Sequence, residues 1–200
     1  MAIRAEEVRK LRERTGQGMM ECKKALEESG GDAEKAVEVL RKKGLATAEK
    51  KSGRKAAEGR IFAYIHHNGK VGVMVEVNCE TDFVAKNEQF QAFLKDLCLH
   101  ICAVNPRAVR REEMPAALVE TEKRIAREQI AGKKPDNIIE KIVEGKLGKW
   151  YAEHVLLEQP FVKDQDRTVQ AILTELITKT GENIVIRRFV RFEVGETATE

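Results

Sequence analysis

The chain has 200 residues, of which 42% are hydrophobic and 34% are charged, a composition typical of a folded, soluble protein. This length suffices for one or two compact domains, and a net charge of +3 is too small to indicate a nucleic-acid-binding protein by itself. The sequence has no run of about 18 apolar residues and no secretory signal at its start, so we expect a cytoplasmic protein.

Residues 1–44 predict a module of three short helices. Each helix carries apolar residues at helical spacing, and Asp32 is a suitable N-cap for the third. Gly44 is expected to lie just beyond the end of that third helix. Three helices in so few residues bury only a marginal core, so we expect this module to dock against another surface.

Residues 45–59 predict a linker, because small and basic residues dominate this part of the chain. Eight residues between positions 41 and 60 are basic and two are acidic. A strip that binds RNA phosphates is the alternative interpretation. No aromatic residue is interleaved with these basic residues, which favours the linker.

Residues 60–200 predict an α+β domain. Two alternating apolar runs, Ile61–His66 and Val71–Val77, are joined by Asn68-Gly69, a strong hairpin signal. Helical patterns follow at 87–104, at 116–131, from Pro135 onward, and in a last segment that stops at Gly181. The β-branched run 183–194 is expected to pair with the hairpin or with another subunit, giving an antiparallel three-stranded sheet packed with helices.

Motifs for enzymatic chemistry do not occur in this sequence. There is no P-loop, no dinucleotide-binding glycine pattern and no nucleophile elbow. Cys98 and Cys102 are one helical turn apart, but no second cluster completes a metal site, and small buried thiols are the favoured interpretation. We therefore expect a binding protein with no catalytic residues, no metal and no cofactor.

The tetrapeptide Thr81-Asp82-Phe83-Val84 lies where the predicted hairpin meets the next helix. Binding residues concentrate at such corners of a rigid scaffold, and we expect the apolar ring of Phe83 to protrude there. The alternative is that Phe83 is buried beneath the following helix.

Two long segments resemble the elongation factor Ts family. They are Leu11–Leu26, with the sequence LRERTGQGMMECKKAL, and Glu76–Asn87, with the sequence EVNCETDFVAKN. Gln159–Val162 and Arg191–Gly195 are also similar to family segments. The similarity extends over nearly the whole chain, and its motifs occur in the order found in the family.

The resemblance implies guanine-nucleotide exchange on elongation factor Tu. It implies a ubiquitin-associated-like N-terminal module that contacts the GTP-binding domain of that partner through Arg12, Met19 and Met20. It further implies that the Thr81–Val84 segment acts as a wedge that disturbs the Mg²⁺ and phosphate site of elongation factor Tu. It also implies that His100 contacts a second domain of the partner.

Short members of the family form homodimers, so the resemblance also implies a 2:2 complex, and we expect the closing strand to be an edge through which the dimer forms. Two other hypotheses are kept. One is an RNA-binding protein of the ribosome that uses the basic strip, and the other is a ubiquitin-associated-like adaptor without exchange activity.

Overall fold

The structure is a computed structural model that describes residues 3–130 and 135–196. N-terminal helices are followed by an antiparallel three-stranded sheet of order β1-β2-β5, which confirms the predicted α+β class. The helices are α1 (Ala5–Thr15), α2 (Met19–Glu28), α3 (Ala33–Ser52), α4 (Asp82–Lys86), α5 (Glu88–Val104), α6 (Ala116–Glu128), α7 (Asp136–His154) and α8 (Val169–Thr180). The strands are β1 (Glu58–Ile65), β2 (Val71–Cys79), β3 (Pro160–Phe161), β4 (Asp164–Thr168) and β5 (Val185–Glu193).

The chain divides into two compact units. One comprises the residues up to Arg60 together with Val77–Gln91 and Ala171–Val185, and the other comprises Ile61–Glu76, Ala92–Gln170 and the residues from Ile186 onward. The expected division into 1–44, 45–59 and 60–200 stays a prediction. The part of the expected linker up to Ser52 is helical, because α3 continues through it.

In the first unit, α1, α2 and α3 enclose a small apolar core of their own. It consists of Val8, Leu11, Cys22, Ala25, Leu26, Ala36 and Leu40. As predicted, Asp32 caps α3, and its Oδ1 accepts hydrogen bonds from the backbone N–H groups of Glu34 and Lys35. The turn between α1 and α2 uses Gly16 at φ +67°, a conformation that favours glycine.

Gly44 does not end the third helix, so that prediction was wrong. Gly44 is buried in the middle of α3, and a Cβ atom there would lie 3.3 Å from Thr178 Oγ1 and 3.6 Å from Thr174 Cγ2, both on α8. A glycine inside a helix costs stability relative to alanine but allows another helix to approach closely. This glycine therefore serves the packing of α3 near α8.

In the second unit, the predicted hairpin is confirmed. The His66 N–H donates to the Val71 carbonyl at 2.8 Å, and Gly69 in the turn has φ +68°. The alternate valines of β2 are buried. The closing strand β5 pairs with β2, so of the two expectations for it, the pairing with the hairpin is the one observed.

The structure adds features that the sequence patterns did not predict. A two-stranded sheet joins β3 to β4, and a short helix, α4, precedes the helix that was expected from residue 87. The predicted helix 116–131 corresponds to α6, and residue 131 itself lies outside the described residues. Among the described residues, none of the helices is both long and apolar enough to cross a membrane.

Candidate partner-binding site

The Thr81–Val84 segment forms the start of α4. Thr81 is its N-cap, with an extended backbone, and the hydroxyl oxygen of Thr81 accepts a hydrogen bond from the Val84 N–H at 3.4 Å. Ala85 faces inward, whereas the Phe83 side chain is 82% exposed. The alternative of a Phe83 ring buried beneath the next helix is therefore wrong. The sequence did contain a signal for this helix, namely a threonine followed by an acidic first turn and a lysine in the last turn.

Asp82 is paired within the same helix. Lys86 Nζ lies 2.6 Å from Asp82 Oδ2, one helical turn away. The hydrogen bond and the charge of Lys86 lower the pKa of Asp82, so the carboxylate is ionised at neutral pH. The segment therefore presents an exposed aromatic ring beside an exposed anion.

The backbone beneath α4 is anchored from two sides. The Cys79 thiol donates to the carbonyl oxygen of Thr81 at 3.1 Å, and burial raises the pKa of Cys79 to about 11, which keeps the thiol protonated and able to donate. On the other side, the carboxylate of Glu182 accepts hydrogen bonds from Glu80 and Thr81. Sequence reasoning missed Glu182, because it lies about 100 residues away in the chain and belongs to no local motif.

The N-terminal module exposes all three residues that were expected to bind a partner. Arg12 is exposed on α1, and the side chains of Met19 and Met20 at the start of α2 are 44% and 63% exposed. Arg12 and Met19 line one open cleft together with Lys179 of α8. Methionine is an adaptable side chain at contact surfaces, so these two exposed side chains are suited to binding another protein.

His100, by contrast, is fully buried in the second unit. Its Nε2 lies 2.9 Å from Gln159 Oε1, and its Nδ1 accepts from the Val162 N–H at 3.2 Å. The ring stacks against Phe161 with 5.7 Å between the ring centroids. Burial lowers the pKa of His100, so the ring is neutral at pH 7. A contact between His100 and a partner stays a prediction, and this burial does not support it.

The basic strip at 41–60 is partly engaged in contacts within the first unit. Lys43 Nζ lies 2.6 Å from a carboxylate oxygen of Glu28, and Arg54 pairs with Glu80 at 3.6 Å. Lys51 donates to the carbonyl oxygen of Gly181. The two ion pairs reduce the positive charge available to an RNA, whereas the contact with the neutral carbonyl leaves the charge of Lys51 unchanged.

Neither a metal cluster nor a disulfide is formed by the described side chains. No three His, Cys, Asp or Glu side chains within residues 3–130 and 135–196 converge in a way that could hold a metal ion. The four cysteines are free thiols, and three of them are buried. Burial raises the pKa of Cys98 to about 12.

Comparisons with known proteins agree with the sequence motifs. The family model described as Elongation factor TS matches residues 33–196. The chain is similar to a protein named Elongation factor Ts from Thermodesulfovibrio yellowstonii, at 56% identity over all of both chains. It is 60% identical to proteins of that name from Geotalea uraniireducens and Acetivibrio thermocellus, over 98% and 97% of this chain and 91% of each relative. The chain therefore belongs to the elongation factor Ts family of translation elongation factors.

Proposed function

We propose that this chain is a guanine-nucleotide exchange factor that binds GDP-bound elongation factor Tu and promotes the release of GDP. The observation that carries the proposal is the 82% exposure of Phe83 on a short helix anchored by Cys79 and Glu182. A large apolar ring exposed on an anchored helix favours a role in binding another protein. Family membership supports the identity of the partner.

The exchange would work by a wedge. The Phe83 ring inserts between helices of elongation factor Tu, and Asp82 helps to rearrange the groups that hold Mg²⁺. Without the ion, the phosphate charge of GDP is no longer compensated, and GDP binds more weakly. By linkage, the exchange factor must weaken GDP binding by the same factor by which GDP weakens binding of the exchange factor.

No covalent bond is made or broken in this process, so the function calls for no catalytic residue and no cofactor in this chain. The residues that matter are those that touch the partner, Thr81 to Val84, and those that hold them in place. Once GDP has left, the nucleotide-free partner is able to bind GTP.

The N-terminal module, residues 1–44, would supply affinity. In this proposal, Arg12, Met19 and Met20 contact the GTP-binding domain of elongation factor Tu, as a ubiquitin-associated-like module does for its own partners. The helices α1 to α3 form a core of their own without these three side chains, which are exposed. This exposure supports the role. Residues 45–59 would be the connecting segment. Residues 60–200 would be the domain that presents the wedge and forms the dimer.

We also place the protein in the cytoplasm as a homodimer that forms a 2:2 complex with elongation factor Tu. One face of the sheet supports the dimer, because it exposes five large apolar side chains. Such a cluster on a protein surface is typical of a surface that binds another protein chain. The five side chains are those of Ile61, Ile65, Met74, Val190 and Phe192. The ion pair between Arg188 and Glu76, at 2.7 Å, lies among them and would face its own copy across a twofold axis.

The deciding experiment measures release of a fluorescent GDP analogue from elongation factor Tu, with this protein present in catalytic amount. Strong acceleration is expected. The absence of acceleration by a protein shown to be folded would contradict the proposed function. An RNA-binding assay at moderate salt would then test the alternative role of residues 41–60.

A further inference from the structure

Glu182 lies directly after the turn that ends α8, in the same compact unit as the Thr81–Val84 segment. Its Oε2 accepts hydrogen bonds from the backbone N–H groups of Glu80, at 3.1 Å, and of Thr81, at 3.0 Å. Its Oε1 accepts from the Thr81 hydroxyl at 2.6 Å. One partly buried carboxylate thus holds three donors at the entry to α4, and hydrogen bonds to a charged acceptor are the stronger kind.

The contact with the Thr81 hydroxyl determines how α4 begins. Because the hydroxyl donates its proton to Glu182, its oxygen lone pairs are available to the Val84 N–H as the N-cap acceptor. A helix of five residues is too short to persist through its own backbone hydrogen bonds. The orientation of Phe83, whose exposed ring has little packing of its own, therefore depends on how Thr81 is held.

The carboxylate of Glu80 in turn accepts a hydrogen bond from the residue that follows Glu182. Glu80 Oε1 accepts from the backbone N–H of Asn183 at 2.6 Å and lies 3.6 Å from Arg54 Nη1. The buried side chain of Asn183 donates in turn to the carbonyl oxygen of Arg54 at 2.8 Å. The segments 80–81 and 182–183 are thus joined by reciprocal hydrogen bonds, and the same network reaches the end of α3.

We infer that Glu182 is a positioning residue for nucleotide exchange, which fixes the Thr81 cap and thereby the direction in which Phe83 projects. This inference rests on the proposed function and extends it to a residue outside the motif. A wedge that is held in its working geometry before it meets the partner loses less conformational entropy on insertion. Glu182 acts through Thr81 and does not itself touch the partner.

The test compares Glu182→Gln, Glu182→Asp and the unsubstituted chain in the release of fluorescent GDP from elongation factor Tu, over a range of exchange-factor concentrations. Glutamine keeps the size of the side chain but places an NH₂ group against N–H or O–H donors. We expect the maximal release rate of Glu182→Gln to fall about tenfold. The half-saturating concentration should stay the same, because Arg12, Met19 and Met20 are untouched. Glu182→Asp, which keeps the charge, should recover part of the rate.

Two further measurements separate positioning from a general loss of stability. Hydrogen exchange at the amides of Glu80 and Thr81 in the free protein should be faster in Glu182→Gln than in the unsubstituted chain. In a Phe83→Ala background, Glu182→Gln should cause no further loss of rate, because the wedge is already absent. Glu49→Gln, which makes the same change at an exposed carboxylate on α3, is the matched control and should have no effect.

An unchanged maximal rate in a folded Glu182→Gln variant would overturn the inference and leave the proposed function standing. So would an additive loss in the Phe83→Ala background, or a change confined to the half-saturating concentration. If the unsubstituted chain fails to accelerate GDP release, both the proposed function and this role of Glu182 are wrong.

Discussion

Lys86 Nζ lies 2.6 Å from Asp82 Oδ2, so the one carboxylate in the proposed wedge is paired with a lysine of its own helix. Both side chains are largely exposed, with 73% and 51% of their surface accessible. An exposed pair of this kind is held weakly and is screened by salt. Asp82 can therefore exchange Lys86 for groups of a partner at little cost.

We expect Lys86→Met to leave the fold intact and to raise the rate of stimulated GDP release by about twofold at most. The reason is that the substitution removes the competing cation while keeping the length of the side chain. The measurement is GDP release at low and high salt, and the difference between the variant and the unsubstituted chain should shrink at high salt. Lys10→Met, which breaks a similar pair with Glu6 on α1, is the control. A large loss of rate in Lys86→Met would show that the lysine itself is needed.

Phe83→Ala should lower the maximal rate of GDP release by at least about tenfold, because the substitution removes the ring that inserts into the partner. The free energy of unfolding should change by less than about 0.5 kcal/mol, since the ring is exposed in the free protein. Ile138→Ala removes another exposed apolar side chain, from α7, and should change neither quantity. An undiminished rate for Phe83→Ala would exclude the wedge.

Met20→Ala should change the half-saturating concentration of GDP release, whereas Phe83→Ala should change its maximal rate. Because Met20 is proposed to contribute affinity through the N-terminal module, the half-saturating concentration should rise by about fivefold while the maximal rate is kept. The same titration of GDP release measures both parameters. If Met20→Ala lowers only the maximal rate, the division of labour between the module and the wedge is wrong.

The buried ring of His100 predicts a pH dependence of stability. Burial lowers the pKa of His100 in the folded protein below its ordinary value of 6.5, so the unfolded chain takes up a proton first as the pH falls. Stability should therefore be highest above pH 6.5 and should decrease as the pH falls from there toward the folded-state pKa. Protonation of Nδ1 would also remove the acceptor for the Val162 N–H. Urea unfolding between pH 7 and pH 5 should show this loss, and the slope should be smaller in His100→Gln.

Phe192→Glu tests the proposed dimer. Phe192 is 72% exposed on the apolar face of the sheet, and a charge there would be buried without a partner in the dimer. We expect the dimer to dissociate at concentrations at least about tenfold higher than for the unsubstituted chain, as measured by sedimentation velocity. Ile138→Glu, which introduces the same charge on α7, is the control. A monomeric unsubstituted chain at tens of micromolar would contradict the homodimer.

Local patterns in the sequence predicted several features correctly, for reasons that lie in neighbouring residues. Asn68-Gly69 determined the hairpin turn, because glycine readily adopts the positive φ seen at Gly69. Alternation made the valines of β2 a buried face, and Asp32 specified the start of α3 through its own side chain. These signals act over two to four residues, which is the range over which backbone geometry is decided.

Features that depend on distant residues could not be predicted in this way. Gly44 was expected to end a helix, but it lies in α3 beside Thr178, about 130 residues further along the chain. The burial of His100 against Gln159 and Phe161 was not predicted either, and the contact with a partner that the resemblance implied for His100 stays a prediction. Gly44 shows the reason, because its local pattern fits both a helix end and a helix interior, and long-range packing selects one of them.

The sequence by itself therefore determined the α+β class, the elements joined by short turns and the motif that identifies the family. Only the tertiary structure decided which distant residues hold these elements in place. Thr81 was named from its motif, but the carboxylate that accepts hydrogen bonds from its N–H group and its hydroxyl belongs to Glu182, at a separation of 101 residues. Hydrogen bonds across such a distance form only when the chain has folded, because no local periodicity encodes which segments will meet.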